Sequence, residues 1–159
     1  MPEIRYAIDS DVLINFSRNL PRDIFEGVWS HLDDYVRSRR ILVHRMVAIE
    51  VAQKGERKDD ANLWIQSIPD DLIVEIDDDQ GEFIDKMGRE DKHIAWRLTN
   101  SEYRNSADPF VIALGKVFGC CVVTNEKMTE HKIPSICARY SIEAIKPHAM
   151  MRVEHWRFP

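Results

Sequence analysis

The chain has 159 residues, a formal net charge of −5, 44% apolar residues and 31% charged residues. A chain of this length fits one domain, residues 1–159, and can bury a substantial core. No stretch approaches the roughly 18 uncharged apolar residues of a membrane span, and the first residues lack the apolar core of a signal peptide. The three cysteines, two of them adjacent, form no disulfide framework, so we expect a reducing, cytoplasmic location.

The acidic balance argues against a protein that binds nucleic acid through its overall charge, because such proteins are basic. An acidic sequence can also arise when carboxylates are gathered in one site, where bound divalent cations neutralise their charge. An RNA partner is therefore compatible with this sequence only if the basic residues are unevenly placed.

Strands and helices alternate in the predicted secondary structure. In chain order, the expected elements are a strand at 6–9, helices at 11–17 and 23–39, a strand at 41–43, helices at 46–54 and 59–68, a strand at 72–76, a helix from 77 to about 98, a polar turn at 100–106, a helix at 109–118, strands at 120–124 and 142–145, and a helix that begins near Pro147. This alternation predicts an α/β fold, with a parallel sheet that carries helices on both faces.

Two of the predicted strands are followed by acidic and hydroxyl side chains. The first strand leads into Asp9, Ser10 and Asp11, and the fourth leads into Thr124, Asn125 and Glu126. Sites in open α/β sheets form outside the carboxyl ends of the strands, so we expect both segments to face one pocket. Helix capping or a solvated loop explains either segment alone, but two such ends in a short chain favour a site.

Glu50 and Asp108 are two further candidates. Glu50 follows Met46 and Val47 by four and three residues, so it lies on the apolar stripe of its predicted helix. A charge there must be paired, protonated or bound to metal, although a partly exposed glutamate, or one paired with an arginine, fits the spacing equally well. Asp108 precedes Pro109 and an apolar helix, which is typical of a helix N-cap. A capping aspartate can also contribute an oxygen to a metal.

These residue types point to a hard divalent cation. Such ions take oxygen ligands, and three or four carboxylates suit one or two of them. Two ions can activate a water and stabilise the leaving oxygen of a phosphodiester. The six histidines and three cysteines show no zinc-ligand spacing. The glycines form no phosphate loop, and no serine has a nucleophile-elbow context.

The four acidic motifs, in this order, resemble those of PIN domains. Residues 8–14 are similar to the opening PIN strand, with Asp11 at a position that is usually Asn. Glu50 is similar to the second PIN acid, and Asp108 to the third. Glu126 is similar to the fourth, which is usually Asp. The segment from Lys132-Ile133-Pro134 to Cys137 resembles a small PIN-related family of uncharacterised function.

The resemblance implies a three-layer α/β/α sandwich with a central parallel sheet. It also implies Mg²⁺ or Mn²⁺ as cofactor and endoribonuclease activity, often as the toxin of a toxin–antitoxin pair. The expected metal-binding and catalytic residues are Asp9, Glu50, Asp108 and Glu126, and the expected supporting residues are Ser10, Asp11, Thr124 and Asn125. The candidate partners are RNA, an antitoxin protein and a second copy of the chain.

Basic residues beside the third and fourth motifs are the candidate RNA contacts. Arg104 precedes the third motif, and Lys127 and Lys132 follow the fourth. Both segments should border the carboxyl end of the sheet, where they would meet phosphates on either side of the scissile bond. Ordinary loop charges are the alternative interpretation.

Two other functions compete with the nuclease. Asp9-Ser10-Asp11-Val12 fits the D-x-D-x-[TV] opening of haloacid-dehalogenase-type phosphatases, with Asp9 as nucleophile and Asp11 as acid. Thr124 at a strand end fits the second motif of that family. The family also needs a lysine and then an acidic pair at a later strand end, but the acids after Glu126 are isolated, and this interpretation gives no role to Glu50 or Asp108. A catalytically degenerate PIN fold that acts as a binding module is the non-enzymatic alternative, and it should need no divalent metal.

Overall fold

The computed structural model describes residues 3–55, 59–90 and 106–158. Within these residues, five parallel strands form one sheet in the order β3-β2-β1-β4-β5. The strands are β1 (Tyr6–Ile8), β2 (Ile41–His44), β3 (Ile73–Val74), β4 (Cys121–Val123) and β5 (Ala144–Ile145). Tyr6 is in register with both Ile41 and Cys121, so β1 is the central strand. All three of its residues are buried, as expected for a parallel strand covered on both faces.

Helices cover both faces of the sheet. The described helices are α1 (Ser10–Asn19), α2 (Glu26–Arg37), α3 (Arg45–Lys54), α4 (Asp60–Ser67), α5 (Asp78–Glu90), α6 (Asp108–Val117), α7 (Ile133–Arg139) and α8 (Pro147–Val153). Right-handed crossovers place α1 to α4 on one face and α5 to α7 on the other. The packing agrees, because α1 contacts α3 and α4 whereas α6 contacts α5 and α7. The predicted three-layer α/β/α sandwich with a central parallel sheet is therefore confirmed.

The strand order reverses at β1. From β1 the chain moves outward to β2 and β3, and then crosses to the other side of β1 to form β4 and β5. In doubly wound sheets, ligands bind in the crevice outside the carboxyl ends of the strands at such a reversal. Here the crevice lies between β1 and β4, which lead directly into Asp9 and Thr124.

Several predicted boundaries differ from those of the structure. The helix predicted from residue 23 begins at Glu26, because Phe25 donates its backbone N–H to Pro21 O at 2.8 Å in a preceding turn. The strand predicted at 72–76 is shorter in the structure, where β3 spans Ile73–Val74. It begins after Leu72 because Asp70–Leu72 forms a single 3₁₀ turn. Helix α7 was not predicted. The helix predicted to about residue 98 is described only as far as Glu90, and most of the predicted turn at 100–106 lies outside the described residues.

A membrane-spanning segment was not expected from the sequence. Among the helices in the described parts of the chain, none is both long enough and apolar enough to cross a membrane.

Candidate metal centre

Asp9 occupies the junction between β1 and α1. Its backbone N–H donates to Val123 O at 3.0 Å, which extends the pairing of β1 with β4 by one residue. As the N-cap of α1, its carboxylate accepts from the Ser10 backbone N–H at 2.8 Å. The other carboxylate oxygen accepts from the Thr124 hydroxyl at 2.9 Å. The side chain is buried, so the ends of two neighbouring strands fix its orientation.

Asp108 and Glu126 reach the same crevice from two other elements. Asp108 is the first residue of α6, and its backbone N–H donates to the Ser106 hydroxyl at 3.3 Å. Glu126 follows β4, and its backbone N–H donates to the Thr124 hydroxyl at 3.2 Å. One Glu126 oxygen accepts from the Ile133 backbone N–H at 2.8 Å, at the start of α7. Helix α7, which the sequence did not predict, therefore helps to orient Glu126.

Asp9, Asp108 and Glu126 form a carboxylate triad. One oxygen from each of the three side chains lies within 4.8 Å of the other two. An ion with oxygen ligands at about 2.0–2.6 Å holds those oxygens no more than about 5 Å apart. The spacing of the triad therefore suits a divalent cation bound between the three side chains.

Three aspartates of the site, Asp9, Asp11 and Asp108, have raised pKa values. Burial raises the pKa of Asp9 well above its usual range, and the charges of Asp11 and Asp108 raise it further. Burial, with the charges of Glu126 and Glu50 added, raises the pKa of Asp108 to about 7. The pKa of Asp11 is also raised, chiefly by burial. Crowded, buried carboxylates favour the protonated form, and a cation between them would favour the ionised form instead.

Glu50 is buried beside the triad but is not part of it. One of its oxygens accepts from the Ser10 hydroxyl and from Lys54 Nζ, the latter at 3.3 Å. The other oxygen accepts from the Ala107 backbone N–H at 2.8 Å. The structure therefore brings Glu50 into the same pocket as the triad, with protein donors on both of its oxygens.

The expectation that Asp108 caps α6 is wrong by one residue. Ala107 is the N-cap, and it has helical backbone angles (φ −76°, ψ −16°) with no side-chain cap of its own. Its buried N–H would have no intrahelical partner, and the Glu50 carboxylate supplies one. Asp108 is consequently free to face the crevice.

The remaining expected residues lie around the triad. The Thr124 hydroxyl contacts Asp9 directly, and Ser10 contacts both Asp9 and Glu50. An Asp11 oxygen accepts from the Asn125 backbone N–H at 3.2 Å, which links the start of α1 to the segment after β4.

A pocket of about 640 Å³ opens above the triad. Its lining combines acidic, polar and basic side chains: Asp9, Ser10, Asp11, Ile14, Asn15, Arg18, Glu50, Gln53, Lys54, Ser106, Asp108, Asn125, Glu126 and Lys132. All four acids expected from the sequence are in this set. The pocket thus has an acidic floor and a partly basic rim.

The basic rim only partly matches the predicted RNA contacts. Lys132 lines the pocket, whereas Lys127 is exposed and is not in the lining formed by the described residues. Arg104 lies outside the described residues. Arg18 and Lys54 also line the pocket but were not predicted from the sequence, although their helical spacing from two of the acids indicates that they face it. Arg18 follows Asp11 by seven residues on α1, and Lys54 follows Glu50 by four on α3.

The fold and the site define a doubly wound α/β protein with a cluster of buried and half-buried carboxylates where the strand order reverses. The chain belongs to the family described as a domain of unknown function (DUF4411), whose family model matches residues 6–158. That match runs from β1 to the segment after α8, and so includes every residue of the triad. A comparison with curated proteins gives no match.

Proposed function

We propose that this protein is a metal-dependent endoribonuclease of the PIN type, with Mg²⁺ or Mn²⁺ bound by Asp9, Asp108 and Glu126. The observation that carries the proposal is the carboxylate triad itself. Three acids from three separate elements converge within 4.8 Å at the strand-order reversal, where burial and neighbouring charges disfavour the ionised forms of Asp9 and Asp108 without a cation.

The donor set fits a hard divalent cation. All three groups supply oxygen, which Mg²⁺ and Mn²⁺ prefer over nitrogen and sulfur donors. When bound, such an ion would activate a water and offset the charge that develops on a phosphodiester during hydrolysis. The chain's own residues would orient the ligands. The Thr124 hydroxyl holds Asp9, and the Ile133 N–H holds Glu126.

The basic rim supports an anionic substrate. Arg18, Lys54 and Lys132 line the pocket of a protein whose net charge is −5. An acidic protein can bind a polyanion only where cations are concentrated, because phosphate contacts supply most of the affinity. The choice of RNA, and of a toxin role with an antitoxin partner, depends on the resemblance of the four motifs to PIN domains.

The haloacid-dehalogenase-type phosphatase receives less support. It requires an acidic pair after a later strand, but the residues that follow β5 are Lys146, Pro147 and His148. It also gives Asp108 no role, although Asp108 belongs to the triad. The degenerate binding module differs from the nuclease in one measurable respect, which is that it needs no metal.

Cleavage of a labelled single-stranded RNA tests the proposal. Cleavage should require Mg²⁺ or Mn²⁺ and should stop when the metal is chelated. Asp9→Asn should lower the rate at least about a thousandfold, as loss of a central catalytic group does. Thr124→Ala should lower it by about tenfold, because Thr124 acts through Asp9.

Asp71→Asn is the matched control, because Asp71 is exposed and lies outside the pocket lining. It should cleave RNA at the wild-type rate. Metal-independent cleavage, or full activity in Asp9→Asn, would contradict the proposal. Hydrolysis of a phosphomonoester without RNA cleavage would favour the phosphatase.

A further inference from the structure

Glu50 connects the two aspartates of the carboxylate triad through their neighbours in the chain. Ser10, whose hydroxyl donates to Glu50 Oε1, directly follows Asp9. Ala107, whose N–H donates to Glu50 Oε2 at 2.8 Å, directly precedes Asp108. Since Ser10 begins α1 and Ala107 caps α6, one side chain fixes the starts of two helices relative to each other.

Three protein donors occupy three of the four lone pairs of the Glu50 carboxylate. A carboxylate oxygen accepts through two lone pairs, and Oε1 already has two donors, the Ser10 hydroxyl and Lys54 Nζ. Oε2 has the buried Ala107 N–H, which has no intrahelical partner at the helix start. The oxygens that gather within 4.8 Å come from the triad, without Glu50.

We infer that Glu50 is a positioning residue of the metal centre and not a metal ligand. It holds Asp9 and Asp108 at ligand spacing through Ser10 and Ala107, and Lys54 balances its charge. This inference rests on the proposed function, because it requires the triad to bind a divalent cation. It departs from the PIN resemblance, which makes Glu50 one of the metal ligands.

Two double variants with the same net charge distinguish a metal-ligand role of Glu50 from a positioning role. Glu50→Gln/Lys54→Gln removes both charges of the pair, but the new amide can still accept from Ala107 and donate to Ser10. Glu50→Ala/Lys54→Gln has the same charge and no bridge. Lys54 can be changed for this purpose because its side chain is 63% exposed.

Mn²⁺ affinity, measured by isothermal titration calorimetry on the full chain, is the main readout. The bridged variant should bind Mn²⁺ within about threefold of wild type, and the bridgeless variant about 10–100-fold more weakly, as when an outer contact of a metal ligand is lost. RNA cleavage should be slower in the bridgeless variant than in the bridged one. The two are compared with each other and not with wild type, because both lack Lys54 of the basic rim. A purely structural role would lower the stability of the bridgeless variant but leave its Mn²⁺ affinity at the wild-type level.

Equal losses in both double variants would overturn the inference, because the carboxylate itself would then be the ligand. Wild-type affinity in both would also overturn it, because the bridge would then position nothing. If the bridgeless variant does not fold, Ser10→Ala removes one arm of the bridge, and unchanged Mn²⁺ affinity there would contradict the inference. Asp108→Asn tests the proposed function separately. If wild type binds no Mn²⁺, or Asp108→Asn binds it equally well, the proposed function fails as well.

Discussion

Glu154 joins the last described segment of the chain to the amino end of the sheet. Its two oxygens accept from Arg40 at 2.7 and 3.0 Å, from the Tyr6 hydroxyl at 2.6 Å and from the Tyr35 hydroxyl at 2.7 Å. Burial raises the pKa of Glu154, but the hydrogen bonds from Arg40, Tyr6 and Tyr35 together lower it by more. The net shift of the pKa is therefore downward. The ionised carboxylate is therefore part of the folded structure, at the opposite end of the sheet from the triad.

Glu154→Gln should destabilise the protein by about 2 kcal/mol, or roughly 4–8 °C in Tm, because it removes a charged acceptor from four donors. The folded pKa of Glu154 lies below its unfolded value of about 4.3, so its contribution is present above that pH and is lost as the pH falls through the folded pKa. The Tm gap between wild type and Glu154→Gln should therefore be constant near neutrality and shrink below about pH 4.

Glu82→Gln is the control, because Glu82 is exposed on α5. It should leave Tm unchanged near neutrality. A Glu154→Gln protein as stable as wild type would mean that the four hydrogen bonds add nothing beyond those that the unfolded chain makes with water.

Individual residues of the site differ in how well the sequence predicted them. Asp9 and Thr124 were predicted because each follows a buried strand, and strand ends meet at one edge of a parallel sheet. Glu50 was placed on an apolar stripe, but its spacing alone left metal binding and pairing equally open. Its partner Ala107 is 57 residues away and contributes a backbone N–H, for which no side-chain pattern exists.

Helix α6 packs at Gly115 so closely against Val122 and Ile142 that no side chain fits between them. A Cβ atom at this position would lie 2.6 Å from Ile142 Cγ2 and 3.1 Å from Val122 Cγ2. Both neighbours are buried, so neither can move freely. Gly81 on α5 is the opposite case, because a Cβ there would meet no atom of the described residues within 4 Å.

Gly115→Ala and Gly81→Ala should change stability in opposite directions. Alanine is the better helix former by roughly 1 kcal/mol, so Gly81→Ala should stabilise the protein by about 0.5–1 kcal/mol. At Gly115 the overpacking should outweigh that gain and destabilise the protein by about 1–3 kcal/mol. Urea unfolding measures both. Stabilisation by both substitutions would show that α6 can shift away from β4 at little cost.

Helix α7, which was not predicted, lacks a glycine at its end. Gly55 and Gly119 mark the ends of α3 and α6, and glycine is the usual stop signal. Helix α7 instead ends at Arg139, and Ser141, two residues later, has a left-handed φ of 59°. Ile142 N–H then donates to Cys137 O at 2.8 Å, which is the hydrogen bond expected of a Schellman end. Arg39 and His155 adopt the same backbone conformation after α2 and α8. Local backbone hydrogen bonds close these three ends, and none of the three left-handed residues is glycine, the usual stop signal.

On the scale of the whole molecule, the cation-free site should destabilise the fold as the pH rises. The folded pKa of Asp108 is about 7, and that of Asp9 is also raised well above its usual range. A carboxyl group whose folded pKa exceeds its unfolded value of about 3.9 favours folding most below that value. Its contribution is lost as the pH rises through the folded pKa. Metal binding requires the ionised carboxylates, so it should reverse this trend.

Saturating Mn²⁺ should therefore raise Tm more at about pH 8 than at about pH 5.5, because protons compete with the metal for Asp9 and Asp108 at the lower pH. Without metal, Tm should fall between these two values of pH, and with metal the fall should be smaller or absent. Thermal unfolding at both pH values, with and without Mn²⁺, provides the measurement, with ionic strength matched by NaCl to separate binding from screening.

Asp108→Asn isolates the contribution of the site from that of every other titrating group. An amide cannot ionise, so this variant should lose less stability than wild type as the pH rises without metal. It should also gain less from Mn²⁺ at the higher pH, because one triad oxygen has lost its charge. An equal Mn²⁺ increment at both pH values, in wild type and variant alike, would mean that the ion binds elsewhere on this acidic surface. The crowding of Asp9, Asp108 and Glu126 would then be a cost that the rest of the fold offsets without a cation.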